Sequence, residues 1–470
     1  MRARQKTTAA NRDHRHQSPH CRARLNDTPT ILPPVPVSCP EPGYPASTIP
    51  PTCRQQPHTD QAMKPYTPAI RRAALLALAL AAPRSTGLAA DSITEALTTG
   101  SVSLNARLRY EYAAQDGLDD AHAPTIRTRL GYSTAAFSGL KARFEAENIT
   151  AIDSDGYNQA GLNPGGAGKV VVADPETTEV NQVWLNYAGE YLSATLGRQR
   201  YVLDNARFVG DVGWRQNNQT FDALTVTATP VDALKINYGY LWQINRVLGR
   251  EHPAGRWKSS SHLLNAHYVI TPTISATGFV YLLDFSNAAA NASATYGITA
   301  QGSQPIGAEA GRKLTWRAGY ALQTDYADQP TDYTASYYVA ELGYAQAQYN
   351  LGLGYEVLGS DDGRKGFATP LATLHAFNGW ADQFLGTPAA GLKDAYAWVG
   401  TTLPGAIKAK LVYHDFRSDS GSTGYGSEWD ILLARKFDAH WTALLKAADF
   451  NGRDSYVDVT KFWAQVEFSF

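Results

Sequence analysis

Past position 90 the chain has no cysteine, no apolar run long enough to make a membrane helix, and almost none of the 3.6-residue periodicity that builds helices. Each absence removes a class of protein. Without thiols there is no disulfide framework and no Cys-ligated metal site. Without roughly 18 to 20 consecutive apolar residues there is no spanning helix. Without amphipathic helical stripes, a soluble two-domain enzyme of this length lacks the elements it would need. Positive charge is also short: 30 Lys and Arg remain against 39 Asp and Glu after position 90, a net of about −9 where the whole chain carries −1. No basic face of the nucleic-acid-binding kind follows from that balance, and no His or carboxylate pair has metal-ligand spacing on one face.

The first 62 residues differ in kind. They hold all three cysteines, Cys21, Cys39 and Cys53, and 11 of the 25 prolines, with little periodicity. Met63, one of two methionines, then opens a basic stretch with Lys64, Arg71 and Arg72, an apolar run from Ala73 to Ala82, and the small-residue segment Ser85-Thr86-Gly87-Leu88-Ala89-Ala90. That order is the grammar of a secretory signal, cleaved after Ala89 or Ala90. Residues 63–90 are therefore expected to be a signal peptide, residues 1–62 a mis-assigned start or a disordered extension, and residues 91–470 the working chain.

In that chain the period is two. From Ser101 to Tyr112, Val102, Leu104, Ala106, Leu108, Tyr110 and Tyr112 point one way while Ser103, Asn105, Arg107, Arg109 and Glu111 point the other. The last segment alternates likewise, with Phe462, Ala464, Val466, Phe468 and Phe470 opposite Lys461, Gln465 and Glu467. Counting along the chain gives strands near 101–112, 125–136, 140–147, 179–188, 191–199, 221–229, 234–243, 260–270, 273–283, 293–302, 312–323, 334–345, 347–358, 392–402, 405–416, 427–437, 440–450 and 458–470. Tight turns alternate with longer polar loops at 150–178, 200–220, 246–258, 359–391 and 417–426. The expected fold is an all-β, transmembrane, antiparallel up-and-down barrel of about 18 strands in the outer membrane of a Gram-negative bacterium, both termini periplasmic. Tyr110, Tyr112, Tyr187, Tyr191, Trp429, Trp441, Phe468 and Phe470 would form its interfacial girdles.

If the apolar faces meet lipid, the lumen receives Arg107, Arg109, Arg127, Arg129, Lys141, Arg143, Lys235, Arg317, Lys408, Lys410, Lys436, Lys446 and Lys461 against seven acidic groups, an excess of about +6. A basic aqueous lumen with low-dielectric walls concentrates anions, and guanidinium matches carboxylates in a bidentate fork. The connection from Arg198 through Arg207 and Trp214 to Asp222 mixes Arg, Asp, Asn and Gln with flat rings, a composition that suits sugars or a self-bonded loop. His414 and Asp415 are adjacent and so lie on opposite strand faces, poor geometry for a hydrolase dyad, and no nucleophile is evident beside His267.

Several segments are similar, in order and spacing, to the alginate export family of outer-membrane channels: Trp184-Leu185-Asn186-Tyr187 with Gly197-Arg198-Gln199-Arg200; Gly213-Trp214-Arg215-Gln216-Asn217 with Gln219-Thr220-Phe221-Asp222; Thr369 to His375 with Phe377-Asn378-Gly379-Trp380-Ala381-Asp382; and Leu411 to Phe416 with Gly426 to Asp430. The resemblance implies an 18-stranded barrel with an arginine-lined constriction for a polyuronate. It assigns Arg198 and Arg200 to that constriction, and orientation adds Arg107, Arg109, Arg127, Arg129, Arg143, Arg207 and Arg215. The expected function is passive, anion-selective passage of an anionic polysaccharide or oligosaccharide, alginate-like, with a general or anion-preferring diffusion porin as the alternative and an outer-membrane hydrolase behind both. The expected partners are membrane lipid, the polysaccharide and periplasmic secretion components, with no nucleic acid and no cofactor.

Overall fold

The alternating segments become eighteen antiparallel strands hydrogen-bonded into a single ring. The computed structural model describes residues 90–307 and 311–470, so the leader and nearly all of the signal segment lie outside the described residues. The strands are β1 (Ser101–Gln115), β2 (Ala121–Ser133), β3 (Leu140–Ala151), β4 (Thr177–Ala188), β5 (Leu192–Gln199), β6 (Thr220–Val231), β7 (Leu234–Asn245), β8 (Arg256–Thr271) and β9 (Ile274–Leu283). They continue as β10 (Ser293–Pro305), β11 (Lys313–Thr324), β12 (Thr334–Gln346), β13 (Tyr349–Leu358), β14 (Leu392–Leu403), β15 (Ile407–Arg417), β16 (Gly424–Lys436), β17 (Trp441–Gly452) and β18 (Val459–Ser469).

Closure comes from β1, which pairs with β2 on one side and β18 on the other: Arg109 stands opposite both Thr125 and Gln465. Leu104 and Phe470 exchange both backbone hydrogen bonds, at 3.0 and 2.8 Å. A closed ring leaves no unpaired edge, the condition for strands to exist in hydrocarbon. The faces are inverted relative to a soluble protein. Val102, Leu108, Leu130, Phe144, Leu185 and Leu196 are exposed on the outside, whereas Arg109, Arg127 and Glu111 are almost inaccessible within.

Several strands run longer than the alternation suggests. β2 begins at Ala121 rather than near 125, and β8 at Arg256 rather than near 260. Beyond the lipid belt neither face has to be apolar, so the pattern fades while the hydrogen-bond ladder continues. A six-residue helix, α1 (Ile93–Thr98), precedes β1, capped by Ser92, whose hydroxyl accepts from the Glu95 N–H at 3.1 Å. It is tied to β2 through Tyr132, whose hydroxyl donates to the Leu97 carbonyl at 2.6 Å.

Connections at the end holding both barrel termini are short, such as 189–191, 232–233, 347–348 and 404–406. The turn before β3 needs Ser138 and Gly139 at φ 50° and 81°, and a Cβ at Gly139 would meet the Ala188 carbonyl at 2.8 Å. At the other end the connections 152–176, 200–219 and 359–391 are long. Two of these dock on each other inside the ring: Val209 bridges Leu371, and the Gly210 N–H donates to the Leu371 carbonyl at 2.8 Å. Leu203, Val209, Phe367, Leu371, Trp380 and Phe384 join inward-facing strand residues in a buried apolar core.

Candidate functional site

The inward loop 200–219 is held by the arginines of the first two strands. Arg107 Nη1 lies 3.3, 3.2 and 3.3 Å from the carbonyls of Gly213, Trp214 and Arg215. Arg109 Nη2 donates to the Trp214 carbonyl at 2.6 Å, and Arg129 Nη2 to that of Gln216 at 3.1 Å, with Arg127 Nη1 at 3.4 Å from the same oxygen. Each also faces a carboxylate. Arg107 and Arg127 meet Glu467 at 2.9 and 3.3 Å, Arg109 meets Asp174 at 3.4 Å, and Arg129 pairs with Glu147. From the loop itself, Arg215 reaches Glu111 at 3.1 Å and Asp382 at 2.7 Å. Burial works against its charge, but Glu111, Asp382 and Asp174 outweigh that and hold the Arg215 guanidinium above its usual range.

The other expected site residues are dispersed. Arg143 pairs with Glu145 and donates to Ser133 Oγ at 2.9 Å. Arg200 Nε donates to Asp211 within its own loop at 2.6 Å. Arg207 makes a bidentate pair with Glu356 of β13 at 2.9 and 3.1 Å and donates to Asn378 at 3.0 Å. Burial again opposes its charge and is outweighed by Glu356 and Tyr337, so its pKa lies above the ordinary value. Arg198 is a correction. It stands opposite Val183 and Asp222, on the face that carries exposed Leu196, and forks onto Asp222 at 2.7 and 3.0 Å. With period two, Gln199 rather than Arg198 turns inward, so Arg198 lies on the outer face and does not line the lumen.

The positive excess read from the strands is smaller than expected. Asp394 and Glu428 are also buried inside, and Asp174, Asp211 and Asp382 arrive on loops. The outward series Ala395, Ala397 and Val399 already implies that Asp394, Tyr396 and Trp398 face in; the loop carboxylates have no such signal, because period two ends where the strand ends. His414 takes Asp394 as its partner, Nδ1 to Oδ1 2.9 Å, while Asp415 faces away to Arg417 and Arg453 at 2.7 and 3.1 Å.

Between the two loops, His375 is fully enclosed. Its ring stacks on Trp214 with centroids 4.5 Å apart, its Nδ1 is 2.7 Å from Asp382 and its Nε2 2.6 Å from Lys446 Nζ. Burial, with Lys446 and Arg215 nearby, drives the His375 pKa well below its usual value despite Asp382. Asp382, which burial alone would raise, is held well below the ordinary carboxylate range by His375, Lys461 and Arg215.

The lumen that the loops leave open lies against β6 to β15, in cavities of about 580 and 420 Å³ that share Asn205 and Arg317. Arg317 is neutralised by a two-pronged contact with Glu341 at 2.6 and 2.9 Å. Lysines behave differently. Lys141, Lys235, Lys313, Lys408 and Lys436 sit on the inward face at the strand ends next to the short turns. Among the described residues the lysine ion pairs with carboxylates are Lys393 with Asp419 and Lys461 with Asp382, so none of these five has a carboxylate within ion-pair distance.

Residues 99–243 match the protein-family model described as Alginate export, so the resemblance read from the sequence holds over β1 to β7; the segments quoted from 369 to 430 lie beyond it. No curated protein matches the chain. Among solved structures, OccK9 (OpdG) of Pseudomonas aeruginosa is similar at TM-score 0.64 and 16% identity, over 79% of this chain and 98% of that one. OccAB4 of Acinetobacter baumannii follows at 0.61 and 13%, over 79% and 98%. OpdK of Pseudomonas aeruginosa, solved with vanillate, is similar at 0.59 and 14%, also over 79% and 98%. At such identities these likenesses show the barrel fold. Fold, apolar outer belt and family match together make this an outer-membrane channel of the Gram-negative type.

Proposed function

From a closed outer-membrane barrel whose first seven strands match the alginate export family, we propose a passive, anion-preferring channel for an anionic polysaccharide or oligosaccharide of the alginate-like, polyuronate kind. The observation that carries this reading is the set of inward-facing lysines at the short-turn mouth without a carboxylate in ion-pair distance among the described residues: Lys141, Lys235, Lys313, Lys408 and Lys436. With the arginines engaged by loop carbonyls and carboxylates, these lysines supply the field that an entering polyanion meets first. Low-dielectric walls focus such a field, and salt screens it over about 8 Å at physiological strength. Arg107, Arg109, Arg127, Arg129, Arg207 and Arg215 then act chiefly by shaping the passage, fixing where the inward loops lie.

Planar-bilayer recordings test the proposal. Under a salt gradient the reversal potential is expected on the anion side, with saturable block of the current by uronate oligomers; cation preference would end it. The loops filling one side of the lumen favour a second reading, a general or anion-preferring diffusion porin; the similar barrel OpdK was solved with vanillate, a small organic acid. Anion preference without saturable block by uronate oligomers would select that alternative.

A further inference from the structure

Two aromatic rings on the open lumen wall lie against backbone because the residues beneath them have no side chains. Tyr396 and Trp398 of β14 stand directly opposite Gly354 and Gly352 of β13. A Cβ at Gly354 would lie 2.2 Å from the Tyr396 ring, and one at Gly352 2.3 Å from the Trp398 ring. Gly343 of β12 extends the berth, its Cβ position 3.4 Å from the same indole. Glycine inside a strand weakens it by leaving nothing to pack, and commonly marks a place that must be approached closely. Here the approaching groups are rings, and both line the cavity of about 420 Å³. The Tyr396 hydroxyl donates to Glu341 at 2.6 Å, which fixes that ring's tilt. Trp380, from the inward loop, lines the same cavity, with Lys410 Nζ 6.0 Å from its ring centroid. Lys410 has no carboxylate within ion-pair distance among the described residues.

We propose that Tyr396 and Trp398, bedded on Gly354 and Gly352, form a stacking platform for a pyranose ring of the passing saccharide, with Lys410 placed to take the carboxylate of a uronate. The face of an aromatic ring is electron-rich, and the C–H groups on one face of a pyranose are its electron-poor complement. A flat ring also holds its shape without loss of rotamer entropy, so a sugar can slide across it. The inference rests on the polyuronate reading and adds to it the place where the sugar is held.

The experiment is current block of the full-length channel in planar bilayers by a mannuronate hexamer, with maltohexaose as the uncharged probe. Trp398→Ala is expected to raise the half-blocking hexuronate concentration by about tenfold, and Trp398→Phe by much less. Gly352→Val keeps the indole but fills its berth, and should weaken block as Trp398→Ala does. Lys410→Met should weaken block by the hexuronate while leaving that by maltohexaose unchanged. The heat-dependent mobility shift of a folded barrel shows that each variant has assembled; should Trp398→Ala not assemble, Gly352→Val and Tyr396→Leu carry the test. If the wild type is blocked and assembled platform variants are blocked equally well, the platform is wrong and the polyuronate reading stands. If the wild type is not blocked at all, both fall together.

Discussion

The Arg109 guanidinium lies 4.2 Å over the Trp214 ring while donating to the backbone carbonyl of the same residue at 2.6 Å. A β1 side chain thus holds both the ring and the backbone of one loop residue, and Arg107 holds the peptides on either side. Removing the Arg109 head group would leave Asp174 buried without its closest strand cation, a loss of about 3 to 5 kcal/mol for pairs of this kind. Arg109→Ala is therefore expected to release loop 200–219, giving a larger and noisier single-channel conductance. An unchanged conductance would show that the loop is held elsewhere.

Selectivity should follow the lysines. Replacing Lys235, Lys313 and Lys408 together by Met is expected to move the reversal potential toward zero, more than neutralising Arg127 and Arg129 does. Arg127 and Arg129 lie buried on β2 against the Gln216 carbonyl of loop 200–219, away from the open lumen along β6 to β15, so a passing ion meets their charge less directly. The reverse ranking would return the selectivity filter to the arginine wall.

Arg198 offers a control on geometry. Because it shares the outer face with Leu196 and forks onto Asp222, Arg198→Ala should leave ion selectivity and sugar block as they are. Its effect should appear as lower thermal stability of about 1 kcal/mol or less, the usual range for a partly exposed pair. A shifted reversal potential would place Arg198 in the lumen after all.

The strand count, the closure and the facing of Arg107, Arg109, Arg127, Arg129 and Arg143 were all legible in the sequence, since lipid forces period two on every crossing. What lay in the loops was not. Nothing in Gly213-Trp214-Arg215-Gln216 announces that its carbonyls will turn toward β1 and β2, because loop backbone is placed by partners distant in sequence. Arg198 shows the opposite failure: a motif match placed it inside, where counting alternate residues from Leu196 puts it outside. Hydrogen-bonding groups that look like a binding site in sequence are also the groups needed to anchor a plug.

The His375 contact is expected to make the docking of the two inward loops sensitive to acid. Lys446 donates to Nε2, so His375 accepts there, is neutral, and donates through Nδ1 to Asp382. A freed histidine titrates near 6.5, while burial, Lys446 and Arg215 hold the docked one well below that. The docked state therefore binds fewer protons than the undocked state below about pH 6.5, and by linkage its stability is complete above that pH and erodes as pH falls. Asp382 adds in the same direction only below about pH 5, where a freed carboxylate begins to take up protons while the docked one stays ionised. Acidification from pH 7.5 to 5 should accordingly increase flickering of the single-channel current and speed hydrogen exchange of the amides in residues 369–382. His375→Gln keeps a hydrogen-bonding side chain but cannot titrate, so its traces should change much less over the same range. Equal pH responses in wild type and variant would mean that protonation of His375 does not control docking.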